Sequence, residues 1–208
     1  MADSLTKVGS IYRWEKEPNW VNDITAEYKL SRRLIAYPGT PVILEPVAEE
    51  TILAVTLKFM CKDKDEEYQF ITKFVDFKGR VGRFWMKHPA NFFTMKTNSF
   101  VGAPGIYCEY NGFGEIYQGY ERVFIPMNDG DLVVRKVVGV SETVGSHTFL
   151  QFDTILDRDI ITGNHLMIGR YLLGRFDSDS LRFVHHSNVV SEVDINFVEL
   201  VKEYDFAD

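Results

Sequence analysis

The stretch Phe77-Lys78-Gly79-Arg80-Val81-Gly82-Arg83-Phe84-Trp85-Met86-Lys87-His88-Pro89 decides how the chain is read. A helical pattern stops at Gly79, an arginine follows at once, and Phe84-Trp85 opens an extended run that ends at Pro89. Gly79 suits the left-handed position just past a helix C-terminus. Upstream, Asp63-Lys64-Asp65-Glu66 carries the spacing of a capping box, with Asp63 as the N-cap. Between them Tyr68, Ile71 and Val75 share one helical face, and Phe70, Phe74 and Phe77 the adjacent one. A helix this apolar is expected to be covered on more than one side, across a sheet and against a second surface. Trp85 follows that helix and reads as core, in preference to a platform for a sugar.

Working back toward the N-terminus, Thr51 to Met60 is the clearest strand. Leu53, Val55, Leu57 and Phe59 point one way, and Ala54, Thr56 and Lys58 the other. Tyr28 to Tyr37 alternates as a second strand, and Pro38-Gly39-Thr40-Pro41 is a turn that breaks any ladder. A short strand is expected around Ile11 to Trp14, within an N-terminal arm. Trp14 and Trp20 flank a polar segment, and two exposed tryptophans are costly for a monomer. They are expected to pack locally or to dock onto a neighbour.

Working forward, Pro89-Ala90-Asn91 turns the chain, and Phe92 to Met95 has the look of another short strand. From Ser99 the composition shifts. Gly102, Pro104, Gly105, Gly112, Gly114 and Gly119 crowd together with Tyr107, Tyr110, Tyr117 and Tyr120. Short strands follow at Glu121–Ile125, Leu132–Val140, His147–Phe152 and Leu166–Leu173. Turns at Asn128-Asp129-Gly130, Gly145-Ser146 and Thr162-Gly163-Asn164 separate them, the pattern of a small barrel or sandwich. After Asp177-Ser178-Asp179 the first pattern returns. Leu181, Phe183 and His185 alternate, Ser187-Asn188 turns, and Val193, Ile195 and Phe197 alternate with Glu192, Asp194 and Asn196.

The expected fold is therefore mainly β, sandwich- or barrel-like. Its first domain is α+β, residues 1–100 plus 178–208, with one helix packed on the sheet. A second, smaller all-β domain, residues 101–177, is inserted into it.

Composition bounds the function. The 208 residues are 45% hydrophobic and 25% charged, ordinary values for a chain with a real core. Aromatics reach 14%, with 16 Phe and 10 Tyr, which favours strands. A net charge of -7 argues against nucleic-acid binding, since it repels phosphate backbones. Arg32-Arg33 and Arg80/Arg83 are the notable basic clusters and read as solvated or ion-paired faces. Cys61 and Cys108 are too few for a disulfide scaffold and are expected to be reduced thiols. Met1-Ala2-Asp3-Ser4 lacks the features of a signal peptide, and no apolar stretch is long enough to span a bilayer.

Chemistry is hard to find. No phosphate loop, dinucleotide fingerprint, nucleophile elbow or zinc-protease helix motif occurs. Asp177-Ser178-Asp179 opens like a calcium loop but lacks the glycine and distal glutamate, so a plain turn is expected. Asp153, Asp157 and Asp159 could supply acid/base pairs, but nothing nearby would separate their pKa values. His185 and His186 are adjacent on a strand and point to opposite faces, which prevents them sharing one ion. His147 beside Ser146 is explained by a turn entering a strand. No catalytic, cofactor-binding or metal residue is assigned, and no cofactor is expected.

The order helix, Gly-Arg turn, Phe84-Trp85 strand and Pro89 resembles the N-terminal module of tailed-bacteriophage tail-tip proteins, the distal-tail, minor-tail and baseplate-like families. Ser191-Glu192-Val193-Asp194-Ile195-Asn196-Phe197-Val198-Glu199-Leu200 resembles their closing strand. The middle segment Asn128-Asp129-Gly130-Asp131-Leu132-Val133-Val134-Arg135 matches in tone only. The resemblance implies a non-enzymatic structural component forming an oligomeric ring, trimer or hexamer, that joins the tail tube to the tip. Implied partners are further copies of the chain, the tube protein and hub or baseplate proteins, without nucleic-acid specificity or membrane insertion. Such a protein is assembled in the host cytoplasm and resides in the virion tail. Two rivals stand beside it. One is a receptor- or carbohydrate-binding tail module using the tyrosines; the other is a cell-wall glycosidase using Asp157 or Asp159.

Overall fold

A computed structural model describes residues 7–8, 11–14, 16, 18–19, 24–35, 43–88, 93–115, 117, 119, 121–127, 130–162 and 167–200, with backbone alone for 28–35, 43–52 and 167. In chain order the elements are β1 (Lys7–Val8), β2 (Ile11–Trp14), β3 (Thr25–Ile35), β4 (Ile43–Cys61), α1 (Lys64–Asp76), β5 (Phe84–Lys87), β6 (Phe93–Thr94) and β7 (Gly105–Glu109). A single 3-10 turn (Phe113–Glu115) follows, then β8 (Arg122–Pro126), β9 (Leu132–Thr143), β10 (His147–Phe152), β11 (Met167–Phe176), β12 (Phe183–His185) and β13 (Ser191–Glu199). The fold is mainly β with a single helix among the described residues. The expected turns at Pro38–Pro41 and Pro89–Asn91 lie outside the described residues, as do Trp20, Tyr120, Asn128-Asp129 and Gly163-Asn164.

The chain divides into two compact units, one made of Met1–Trp85 and Leu173–Asp208, the other of Met86–Leu172. The composition shift at Ser99 falls inside the second unit. There the segment before it already pairs with barrel strands, Met167 opposite Thr94 and Met95 opposite Cys108.

In the first unit β13 runs antiparallel to β4, from Ser191 opposite Cys61 to Val198 opposite Ala54. Leu53, Val55, Leu57 and Phe59 of β4 are buried, as are Val193, Ile195 and Phe197 of β13. This is the alternation that a sheet with one buried face requires. The outward row is polar: Thr56 Oγ1 donates to Asn196 Oδ1 at 2.8 Å, and Lys58 Nζ lies 3.3 Å from Glu192.

Trp14 is the hub of the core beneath. Its ring centroid lies 5.1 Å from Phe70, 5.6 Å from Phe176, 5.7 Å from Phe59 and 6.0 Å from Phe197, mostly edge to face. Only 4% of Trp14 is exposed, so it packs within its own chain and is not available to a neighbour. Trp85 is fully buried, and its Nε1 donates to the Val8 carbonyl at 3.2 Å.

Helix α1 starts at the expected cap. Asp63 Oδ1 accepts from the Glu66 N–H at 2.8 Å, and Glu66 reaches back to the Lys62 N–H at 3.0 Å, one residue before the cap. Its other end corrects the sequence reading. Phe77 is the C-cap, so the left-handed reversal begins at Lys78 (φ 57) and continues through Gly79 (φ 54). The Lys78 N–H bonds the Val75 carbonyl and the Gly79 N–H the Phe74 carbonyl, which satisfies two orphan acceptors. Among the described residues the helix is covered on its phenylalanine face. Phe70 and Phe77 are buried, while Tyr68 (66% exposed) and Val75 (65%) face outward. The phenylalanine face reaches the Trp14 hub, and among the described residues no second surface covers Tyr68 and Val75.

In the second unit the pairings close on themselves. β11 pairs with β8, β8 with β9, β9 with β10 and β10 with β7, while β6 pairs β11 and the adjacent Met95 bridges to β7. The result is a small barrel filled by Phe93, Ile106, Val123, Ile125, Leu150 and Ile168, with Phe113 of the 3-10 turn in the same cluster.

A Cβ at Gly79 would sit 2.7 Å from Asp179 Oδ1 as well as in left-handed backbone. Gly79→Ala is therefore expected to lower unfolding free energy by about 1–2 kcal/mol, and Lys78→Gly to raise it by up to about 1 kcal/mol. Urea denaturation of both variants checks the opposite signs.

Candidate functional site

The polar residues singled out in the sequence are dispersed. Asp157 pairs with Arg135 at 2.7 Å, Asp159 accepts the Val101 N–H at 2.8 Å, and Asp153 accepts from Thr154. Each carboxylate has its own partner, and the three share no point of action. Asp179 accepts the Arg80 N–H at 2.8 Å, and Asp177 lies 3.9 Å from the Arg80 guanidinium. That segment is a turn tied to the end of α1. His185 faces Glu67 at 3.6 Å and His186 faces Glu192 at 4.0 Å, so the two imidazoles serve different carboxylates. Among the described residues no three His, Cys, Asp or Glu are placed to hold a metal ion.

Both cysteines are buried and unpaired. Burial pushes the Cys108 thiol up to about 12, and it also raises Cys61 although Lys16 Nζ lies 3.8 Å from its sulfur. Neither offers a ready thiolate. Tyr117 is tucked in, its hydroxyl donating to the Val137 carbonyl at 3.0 Å. Among the described tyrosines of that cluster, Tyr107 is the most exposed.

Sequence reasoning missed one polar cluster. Fully buried Ser191 donates to Glu67 Oε2 at 2.8 Å, and Lys64 Nζ lies 3.1 Å from the same oxygen. The Ser191 hydrogen bond and then Lys64 hold the Glu67 carboxyl below its ordinary value of 4.5. Ser191, Lys64 and His185 all converge on Glu67 Oε2, His185 Nδ1 at 3.6 Å, and the Ser191 hydroxyl donates its proton to that carboxylate oxygen. The cluster fastens the first turn of α1 to the start of β13. Glu67 and Ser191 are 124 positions apart, and only the tertiary register joins them.

Among the described residues one unpartnered feature is backbone. β4 has β13 on one side from Ala54 to Cys61 only, and Glu199 accepts the Leu53 N–H at 3.3 Å where that ladder stops. Further along, β4 pairs with β3 alone among the described residues, Ile52 and Thr51 opposite Lys29 and Leu30 and residues 43–46 opposite 32–35, and no described strand covers the outer edge of β3. The two strands form a ribbon about 20 Å long beyond the three-strand region, set by residues 29–35 of β3. The register breaks between Leu30 and Arg32, where residues 47–50 of β4 lie opposite Ser31 alone. Pro46 lies in this part, opposite Arg32.

The fold and this surface define a mainly-β protein with an open strand edge and no assembled catalytic group among the described residues. No protein-family model matches the chain, and no curated protein matches it.

A depressed carboxyl stabilises the fold above its unfolded pKa and loses that contribution as pH falls through its folded pKa. Glu67→Gln is expected to destabilise the protein at pH 7, with the gap from wild type closing below pH 4.5. Denaturant titrations at pH 7 and pH 3 check this, and an equal gap at both contradicts it.

Proposed function

We propose that the chain is a non-enzymatic structural component of a bacteriophage tail tip or baseplate, working as an oligomeric ring between tail tube and distal tip. The observation that carries this reading is the ribbon of β3 and β4. A two-stranded ribbon is marginal in water on its own, and its unpaired N–H and C=O groups form a template for another strand. A neighbouring copy supplies that strand by β-augmentation. An edge on one copy meeting a different element on the next is a head-to-tail contact, the kind that closes rings. The Gly79-Arg80 turn, the Phe84-Trp85 strand and the C-terminal strand Ser191–Glu199 supply the resemblance to tail-tip proteins that names the setting.

Sedimentation velocity of the purified chain tests the reading. A species three or six times the 24.0 kDa chain mass is expected. Replacing residues 32–49 with Asn-Gly, which shortens the ribbon to a tight hairpin, is expected to leave a folded monomer. A wild-type chain that stays at 24.0 kDa at every concentration contradicts it.

A further inference from the structure

The barrel unit presents an outward sheet face built on β7, β10 and β9. The register of β7, β10 and β9 sets three rows: Glu109, His147 and Thr143; Tyr107, Phe149 and Ser141; Gly105, Gln151 and Gly139. These positions point away from the core, because the alternate residues Ile106, Cys108, Thr148 and Leu150 are buried. The middle row is aromatic. Tyr107 is 43% exposed, its ring centroid 4.7 Å from that of Phe149 at a 40° tilt and 5.3 Å from that of His147.

The glycines shape this face. A Cβ at Gly105 would collide with the Leu150 backbone carbonyl and lie 2.8 Å from the tip of the Phe149 ring, so only glycine lets that strand and ring approach this closely. Gln151 lies over Gly139 in the same way, its Oε1 3.0 Å from where a Cβ would stand. Ser146 Oγ lies 3.1 Å from His147 Nδ1, and Lys96 Nζ donates to the Ser146 carbonyl at 2.7 Å, which steadies the imidazole. Among the described residues, Glu109 and Gln151 make no side-chain hydrogen bond.

We propose that this face binds a neutral oligosaccharide, with one pyranose ring laid on Tyr107 and Phe149. A pyranose has an apolar C–H face and a rim of hydroxyls. The aromatic row takes the face, and Glu109, His147 and Gln151 meet the rim from rows about 7 Å to either side. Other occupants fit worse. A nucleic acid could stack on the rings, but Glu109 and the net charge of -7 repel its phosphates. An apolar peptide would cover Glu109 and Gln151 and leave them without partners.

Titration of the full chain with cellopentaose, chitopentaose and maltopentaose, followed by calorimetry and tyrosine fluorescence, tests the proposal. Saturable binding to at least one sugar is expected. Tyr107→Ala and Gln151→Ala should each weaken it about fivefold or more. Gln151→Ala should leave the thermal midpoint unchanged, which separates lost contacts from lost fold. Absence of saturable binding to all three sugars overturns the proposal. So does binding that both variants retain, or binding of a proline-rich peptide while the sugars remain inert.

Discussion

Every N–H and C=O in a strand must find a partner or stay in water. β4 meets that requirement unevenly. Over Ala54–Cys61 it lies between β13 and, for the first few residues, β3, with its inward side chains buried in the aromatic core. Over residues 43–52 it has β3 alone among the described residues. The same strand is thus fixed at one end and open along the other. The fixed end depends on Trp14, which gathers Phe59, Phe70, Phe176 and Phe197 around one indole. Removing that ring would leave a cavity shared by α1, β4 and β13, a loss of about 3–5 kcal/mol for a buried tryptophan.

Elements whose signal is periodic were legible in the sequence. Alternation along Leu53–Phe59 and Val193–Phe197 places the buried face, and Asp63 with Glu66 places the helix start. Features decided by tertiary contact were not legible. Trp14 sits in a four-residue strand too short to show a period, so its burial needed the surrounding phenylalanines to be seen. The reversal at Lys78 was masked by Gly79 beside it, the residue that ordinarily takes that conformation. Tyr68 and Val75 read as a packing face because the apolar stripe of a helix does not say whether anything covers it.

The candidate surfaces follow the same division. The carboxylates and histidines that invited catalytic readings each have a separate partner: Asp157 has Arg135, Asp159 the Val101 N–H, His185 Glu67 and His186 Glu192. The aromatic cluster of the middle segment was visible as a cluster, but only register separates Tyr107, outward beside Phe149, from Tyr117, bonded inward to Val137. The open edge of β3 had no sequence signature, because an edge is defined by the strand that is missing from its side.

Amide hydrogen exchange of the full chain across a concentration series examines the β3/β4 edge most directly. If neighbouring copies cover it, amides in residues 30–35 and 43–52 gain protection as concentration rises, while those of Ala54–Cys61 are protected throughout. Exchange in the ribbon that is fast and independent of concentration would contradict the account.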